Sequence, residues 1–221
     1  MKKWMTFSLA AFFAATFFAA TFFTTGARAD ELDPNIVQVQ HDWAKAWYST
    51  PENQQEAAFK TLVDRAHQVT ANSSEKAEAM IWEAIVNSSY AKAKGGLGAL
   101  KYAEQARDLL LASIKLNPQA LQGSAYTSLG SLYYKVPGWP IGFGDNKKAR
   151  ENLEKALQIN PDGIDPNYFY ADFLLERGEK EKAAEYFTKA LNAAPRPGRE
   201  DADTGRRTEI REGLKKAQGK S

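Results

Sequence analysis

Few residues in this chain combine a reactive type with a catalytic spacing. There is no cysteine, which removes thiolate nucleophiles and thiolate metal sites. The two histidines, His41 and His67, fall in two different helix-like segments at the front of the chain, without the His-Glu-x-x-His spacing that turns two imidazoles toward one zinc ion. A hydrolase would need one of them between a carboxylate and a hydroxyl in a single cleft. The stretch "KGGLG" at residues 94–98 has the glycines of a phosphate cradle but not its Gly-Lys-Ser/Thr. "DGID" at 162–165 and "DAD" at 201–203 carry carboxylates short of a calcium loop's full ligand spacing, and read as turn or cap residues. No catalytic residue, metal site or cofactor is assigned. The chemistry that remains is recognition, and it depends on what the intervening elements hold in place.

Those elements repeat. Three helix endings superimpose, "ARDLLLASIKLNP", "ARENLEKALQINP" and "AAEYFTKALNAAP". In register they give Ala106, Ala149 and Ala183; then Leu110, Leu153 and Phe187; then Ser113, Ala156 and Ala190; then Pro118, Pro161 and Pro195. Small residues let two helices approach, the large apolar residue fills the space between them, and the proline ends the second helix. Upstream of the second ending stands Tyr126-x-x-Leu129-Gly130-x-x-Tyr133, and upstream of the third Asn167-x-x-Tyr170-Ala171-x-x-Leu174, with Gly178 at the turn. Pro161 and Pro195 are 34 residues apart. These features resemble the tetratricopeptide repeat (TPR) family over about residues 120–197, and more loosely back to about residue 74.

The resemblance implies an all-α superhelical solenoid of antiparallel helix hairpins, with the first helix of each repeat lining a concave groove. Residues 73–197 then form three TPR-like repeats. By register Ser88, Ser131 and Asp172 face the groove, followed four residues later by Lys92, Lys135 and Glu176. A floor of serine and lysine suits a carboxylate or a peptide backbone. Consecutive aromatics lie about 100° apart on a helix, so of Tyr134, Tyr168 and Phe169 some must turn toward the groove while others pack.

The first two repeats carry an insertion. Tyr90 to Ala106 and Tyr133 to Ala149 each span 16 residues where Leu174 to Ala183 spans 9, a difference of 7. Both are expected to make a glycine-rich apolar excursion at the same edge of the stack. The second, "VPGWPIGFGD", places Trp139 and Phe143 in a loop stiffened by Pro137 and Pro140. Its apolar groups have three candidate resting places: the neighbouring insertion around Leu97, Leu100 and Tyr102, a lid over the groove, or a contact with another copy of the chain.

At the front, Ile36, Trp43 and Trp47 make one helical stripe and Phe59, Leu62, Val63, Ala66 and Val69 a second, separated by a Thr50 cap and Pro51 at the first helical position. Residues 30–72 read as a degenerate repeat or capping hairpin. Residues 198–221 read as a loop and a short capping helix with Ile210, Leu214 and Ala217 on its apolar line, the loop sequence "PRPGREDADTG" beginning at Pro195. Residues 1–29 begin with two lysines, continue apolar, and end Ala27-Arg28-Ala29, the pattern of a cleaved secretion signal. Periplasmic localisation is the expectation, without stable membrane insertion after cleavage and without a lipid-bearing cysteine. Taking Lys2, Lys3 and Arg28 from the 29 basic residues leaves 26 against 27 acidic ones. A near-neutral chain has no electrostatic footprint for nucleic acid.

"VPGWPIGFGD", "NYFYADFL" and "PRPGRE" in an exported TPR chain also resemble the periplasmic TPR component associated with tripartite (TRAP) transporters. That resemblance implies a soluble, self-associating hub that docks a transporter component and passes a small organic ligand. The expected function is a non-catalytic scaffold binding a protein or peptide in an open groove through Lys92, Ser131, Tyr134, Lys135, Trp139, Phe143, Tyr168 and Asp172. The alternatives are a small-ligand carrier with an aromatic lid, and a hydrolase built around His41 and His67.

Overall fold

Asp33 opens the first helix by accepting a hydrogen bond from Asn35 N (2.9 Å), with Pro34 in the first turn where its missing N–H costs nothing. The computed structural model describes residues 32–220, so the signal read at residues 1–29 lies outside the described residues. Among the described residues there are nine α-helices: α1 Pro34–Ala44, α2 Glu52–Ala71, α3 Ala77–Lys94, α4 Leu97–Leu116, α5 Ser124–Lys135, α6 Asn146–Ile159, α7 Ile164–Glu176, α8 Lys180–Asn192 and α9 Glu200–Ala217. None of them is long and apolar enough to cross a membrane. A π-helical turn, Lys45–Ser49, continues α1, and Thr50 closes it by donating to Lys45 O rather than capping α2.

Helices α3 to α8 form three successive hairpins, each stacked on the next, with the front pair before them and α9 after. The registered positions carry this stack. Ala106, Ala149, Ala183, Leu110, Leu153, Phe187, Ser113, Ala156 and Ala190 are all fully buried. Each burial of a Leu or Phe contributes about 1.5–3 kcal/mol. Gly130 makes the α5–α6 approach possible, since a Cβ there would lie 2.7 Å from Leu153 Cγ and 3.1 Å from the Ala149 carbonyl. Helices α4 and α6 end ahead of Asn117-Pro118 and Asn160-Pro161, as the proline rule requires. One apolar core runs through the repeats and a second joins the front hairpin to α3 around Trp43, Phe59 and Trp82.

The two insertions are equal in length and different in form. In the first repeat only Gly95 and Gly96 are non-helical, and the extra residues lengthen α3 and α4, so the expected loop excursion is absent there. In the second, residues 136–145 are a loop held by its own backbone: Gly144 N donates to Pro137 O (2.9 Å) and Asp145 N to Tyr133 O (2.8 Å). Asp145 then caps α6 by accepting from Lys147 N and Lys148 N.

The C-terminal segment departs most from expectation. The "DADTG" part of the expected loop is already helical, and α9 runs for 18 residues. One flank seats Ile210 and Gly213 on α8, with the Gly213 Cα against Phe187. The other reaches the front hairpin: His41 Nδ1 lies 3.0 Å from Asp201 Oδ2, Trp47 Nε1 donates to Glu209 Oε1 (2.9 Å), and Tyr48 OH to Glu209 Oε2 (3.3 Å). The last helix therefore touches the first, and the groove between them is bridged.

Candidate binding cavity

Bridging the groove makes a cavity of about 1130 Å³. Its floor comes from the first helices of the repeats: Ser88 and Lys92 on α3, Ser131 and Lys135 on α5, Tyr168 and Asp172 on α7 all line it. The register reading thus brings five of the eight expected site residues together, namely Lys92, Ser131, Lys135, Tyr168 and Asp172. A smaller chamber of about 420 Å³ adjoins it, sharing Lys135, Tyr168, Asp172 and Glu209 and continuing to Glu176, Glu212 and Lys216.

The remaining three expected site residues lie elsewhere. Tyr134 is buried between α5 and α7, edge-on to Phe173, and its hydroxyl donates to Asp172 Oδ2 (2.8 Å). Burial, reinforced by the Asp172 charge, pushes its phenol well above the usual range. Phe143 turns away from the cavity onto Tyr133, with the Arg107 guanidinium over its ring at 4.7 Å. Trp139 stands 90% exposed at the loop tip. An aromatic lid of Trp139 and Phe143 is therefore not what covers the groove. The loop instead lends Val136, Pro137 and Ile141 to the cavity wall, beside Leu97 and Leu100 of α4. Neither histidine lines the cavity: His41 pairs with Asp201 across α1 and α9, and His67, largely exposed, with Glu83.

Two groups of lining residues were not assigned from sequence. The first is a row of tryptophans. Trp47 stacks on Trp43 at 5.7 Å between ring centroids, and Trp43 meets Trp82 edge-on at 6.1 Å. Trp43 Nε1 donates to Ser89 Oγ (2.8 Å), which fixes the middle ring. The second group is charged and comes from the segment before α9 and from α9 itself: Arg196, Arg199, Arg206 and Glu209. Asp165, at the start of α7, ties this group together by accepting from Arg196 and Arg206. Burial opposes the charge on Asp165, but the three nearby arginines outweigh it and hold the carboxyl far below the usual range. Arg196 also pairs with buried Asp203, and Arg206 with Glu209. The Arg206 guanidinium lies over Tyr168 (4.3 Å) and Phe169 (4.8 Å), so the two ring faces and three charges lock α9 against α7.

On the floor, Lys135 is neutralised by Asp172 (2.8 Å) and by Glu176. Lys92 takes no carboxylate and sits over the Trp47 ring at 4.3 Å. Burial lowers its ammonium pKa, partly offset by Glu209. A turn at Ala120–Gly123 holds Leu121 and Gln122 at the wall with positive φ, 47° and 55°, a conformation non-glycine residues rarely keep.

Residues 141–200 match the family model described as tetratricopeptide repeat. Among solved structures, TTC0263, a thermophilic TPR protein from Thermus thermophilus, is similar to 80% of this chain over 88% of its own, with 16% identity and a TM-score of 0.55. The fold is a TPR-like solenoid. The crystal structure of MamA protein aligns over 85% of this chain and 93% of its own at 17% identity, with a TM-score of 0.42. No curated protein matches the chain. The family match covers 60 residues, and the wider likeness is one of fold.

Proposed function

We propose that this protein is a non-catalytic binding scaffold of the periplasm, exported by the signal at residues 1–29, whose bridged groove carries a small, largely apolar organic ligand. The observation that carries this reading is the contact of α9 with the front hairpin, which bridges the groove and bounds a cavity of about 1130 Å³ lined by tryptophan, isoleucine, leucine and valine. Small-molecule sites are of this order of size and lining, apolar with a few placed polar groups. The outer surface, with exposed Trp139, is left to a protein partner such as a transporter component. A second reading keeps a peptide in the groove; the hydroxyls of Ser88, Thr127, Ser128 and Ser131 along the floor favour it, because they can pair with a peptide backbone.

Native mass spectrometry of the protein purified gently from periplasmic extract separates the two. A small co-purifying mass, absent when Ser131→Trp fills the floor, is the expected result. A bare chain, or one retaining only polypeptide, overturns the carrier in favour of the scaffold with a peptide in its groove. Fractionation of cells expressing the full chain tests export, and a protein confined to the cytoplasm refutes it.

A further inference from the structure

The carboxylates around the cavity are almost all taken. Asp165 is shared by Arg196 and Arg206, Asp203 is held by Arg196, Glu209 by Arg206, and Asp172 and Glu176 by Lys135, while Asp162 lies exposed at the rim. Two cations are left over. Among the described residues, neither Lys92 nor Arg199 has an ion pair or a side-chain hydrogen bond, although both line the cavity. Each lies on a tryptophan face, Lys92 Nζ 4.3 Å from the Trp47 centroid and Arg199 Cζ 4.9 Å from that of Trp82. Since Trp43 touches both rings, the row Trp82, Trp43, Trp47 has an unpaired cation at each end.

The Arg199 end also lacks acceptors. Arg199 Nε and Trp82 Nε1 are both buried N–H donors without a hydrogen-bond partner, on two side chains in contact, and Trp82 is only 5% exposed. Buried donors are ordinarily satisfied, so two unpartnered ones on contacting side chains favour a ligand that brings an acceptor. The acids nearest Arg199 are Asp165, Asp201 and Asp203, each already bound by Arg196, Arg206 or His41. Burial and the like charge of Arg196 pull the Arg199 pKa below its ordinary value despite those acids, so a further negative charge is favoured there.

We propose that the ligand is an apolar carboxylic acid, its carboxylate on Arg199 and its hydrocarbon body along the tryptophan row toward Lys92. This rests on the carrier reading. A planar guanidinium pairs with a planar carboxylate through two parallel hydrogen bonds. A single unpaired cation at that end suits a monoanion. The edges of the row, with Ile85, Leu100 and Leu121 on the same cavity wall, give the body an apolar track. The acid is a free small molecule, and the C-terminus of an apolar peptide is the occupant the test must exclude.

The test titrates the purified protein with sodium decanoate, with decan-1-ol, and with an apolar pentapeptide as free acid and as C-terminal amide, reading tryptophan emission and heat. Decanoate should bind at least tenfold more tightly than decan-1-ol. Arg199→Gln should abolish that preference while leaving decan-1-ol binding and the thermal midpoint in place, which separates loss of the anchor from loss of the fold. An acid-over-amide preference confined to the peptide overturns the small-acid proposal and assigns the anchor to polypeptide termini. Equal binding of acid and alcohol, or a preference that survives Arg199→Gln, overturns the proposal and leaves the carrier standing. If no probe binds at all, both fall.

Discussion

Substituting Gly205 by alanine separates a bridged groove from an open one by the sign of the effect. Gly205 lies inside α9, where alanine ordinarily gains about 1 kcal/mol over glycine by lowering backbone entropy in the unfolded chain. Here the Tyr48 ring sits directly on the Gly205 Cα: an added Cβ would be 2.5 Å from Cε1 and closer still to Cγ and Cδ1. The ring has little room to yield, because it packs perpendicular to Trp43 at 5.7 Å between centroids and its hydroxyl is bonded to Glu209. Overpacking of this kind costs about 1–3 kcal/mol. Against the propensity gain the net effect is a loss of up to about 2 kcal/mol, each kcal/mol lowering the Tm by about 2–4 °C for a domain of this size. Gly213→Ala serves as the partner experiment, since its Cβ would meet Phe187 Cε1 at 2.6 Å and so probes the seat of α9 on α8. Thermal and urea unfolding should show both variants destabilised, with faster amide exchange in α9. If Gly205→Ala raises the Tm while Gly213→Ala lowers it, α9 packs only on α8, Tyr48 is not beneath it, and the cavity is an open groove.

Other consequences are as direct. Ala149→Leu should cost about 1–3 kcal/mol by overpacking a fully buried site facing α5, and an unchanged thermal midpoint would refute the repeat register. Trp139→Ala should leave stability within about 0.5 kcal/mol, the range of ordinary surface substitutions, because its ring is exposed. Phe143→Ala should cost about 2 kcal/mol through the lost contacts with Tyr133 and Arg107, and equal effects of the two loop variants in urea melts would show the loop to be packed otherwise. Asp165→Asn should destabilise by about 3 kcal/mol, because it leaves Arg206 buried with only Glu209 opposite. The same carboxyl sets a pH dependence. Its folded pKa lies below the unfolded value of about 3.9, so its contribution is complete above that pH and disappears as the pH falls through the folded value. Acid titration of the wild type and Asp165→Asn should therefore show their stability difference narrowing only below about pH 4, and a difference that is constant through that range would refute the ion-pair account.

How far such features can be read from sequence depends on the range of the interaction that makes them. The alanine, leucine and proline register is legible because each hairpin packs on its immediate neighbour, so the constraint is written into every repeat. Ser88, Ser131 and Asp172 follow from that register by simple counting. The two insertions are equal in length, and their different form follows from composition instead of number. After Gly96 the chain runs through Leu, Ala, Lys, Tyr and Glu, mostly good helix formers, and the helix resumes at once. Pro137 and Pro140 with three glycines give the second insertion no such continuation.

The tryptophan row shows a different limit. Trp43 and Trp47 lie on a stripe that a core and a cavity wall would mark in the same way, because apolar periodicity records which face is shielded from water and not what shields it. The bridge was harder still, since its partners are about 160 residues apart, as with His41 and Asp201. Read locally, α9 is a charged helix with a narrow apolar line, which suits a solvent-exposed cap. Its arginines become informative only when the carboxylates of α7 are set opposite them. Charge in a buried seam must be matched group by group to be tolerated, and such matching gives a test that hydrophobic patterning lacks: the groups left unmatched. Arg199 and Lys92 are those groups, and their position over tryptophan faces inside the cavity is what turns a stability question into one about ligand chemistry.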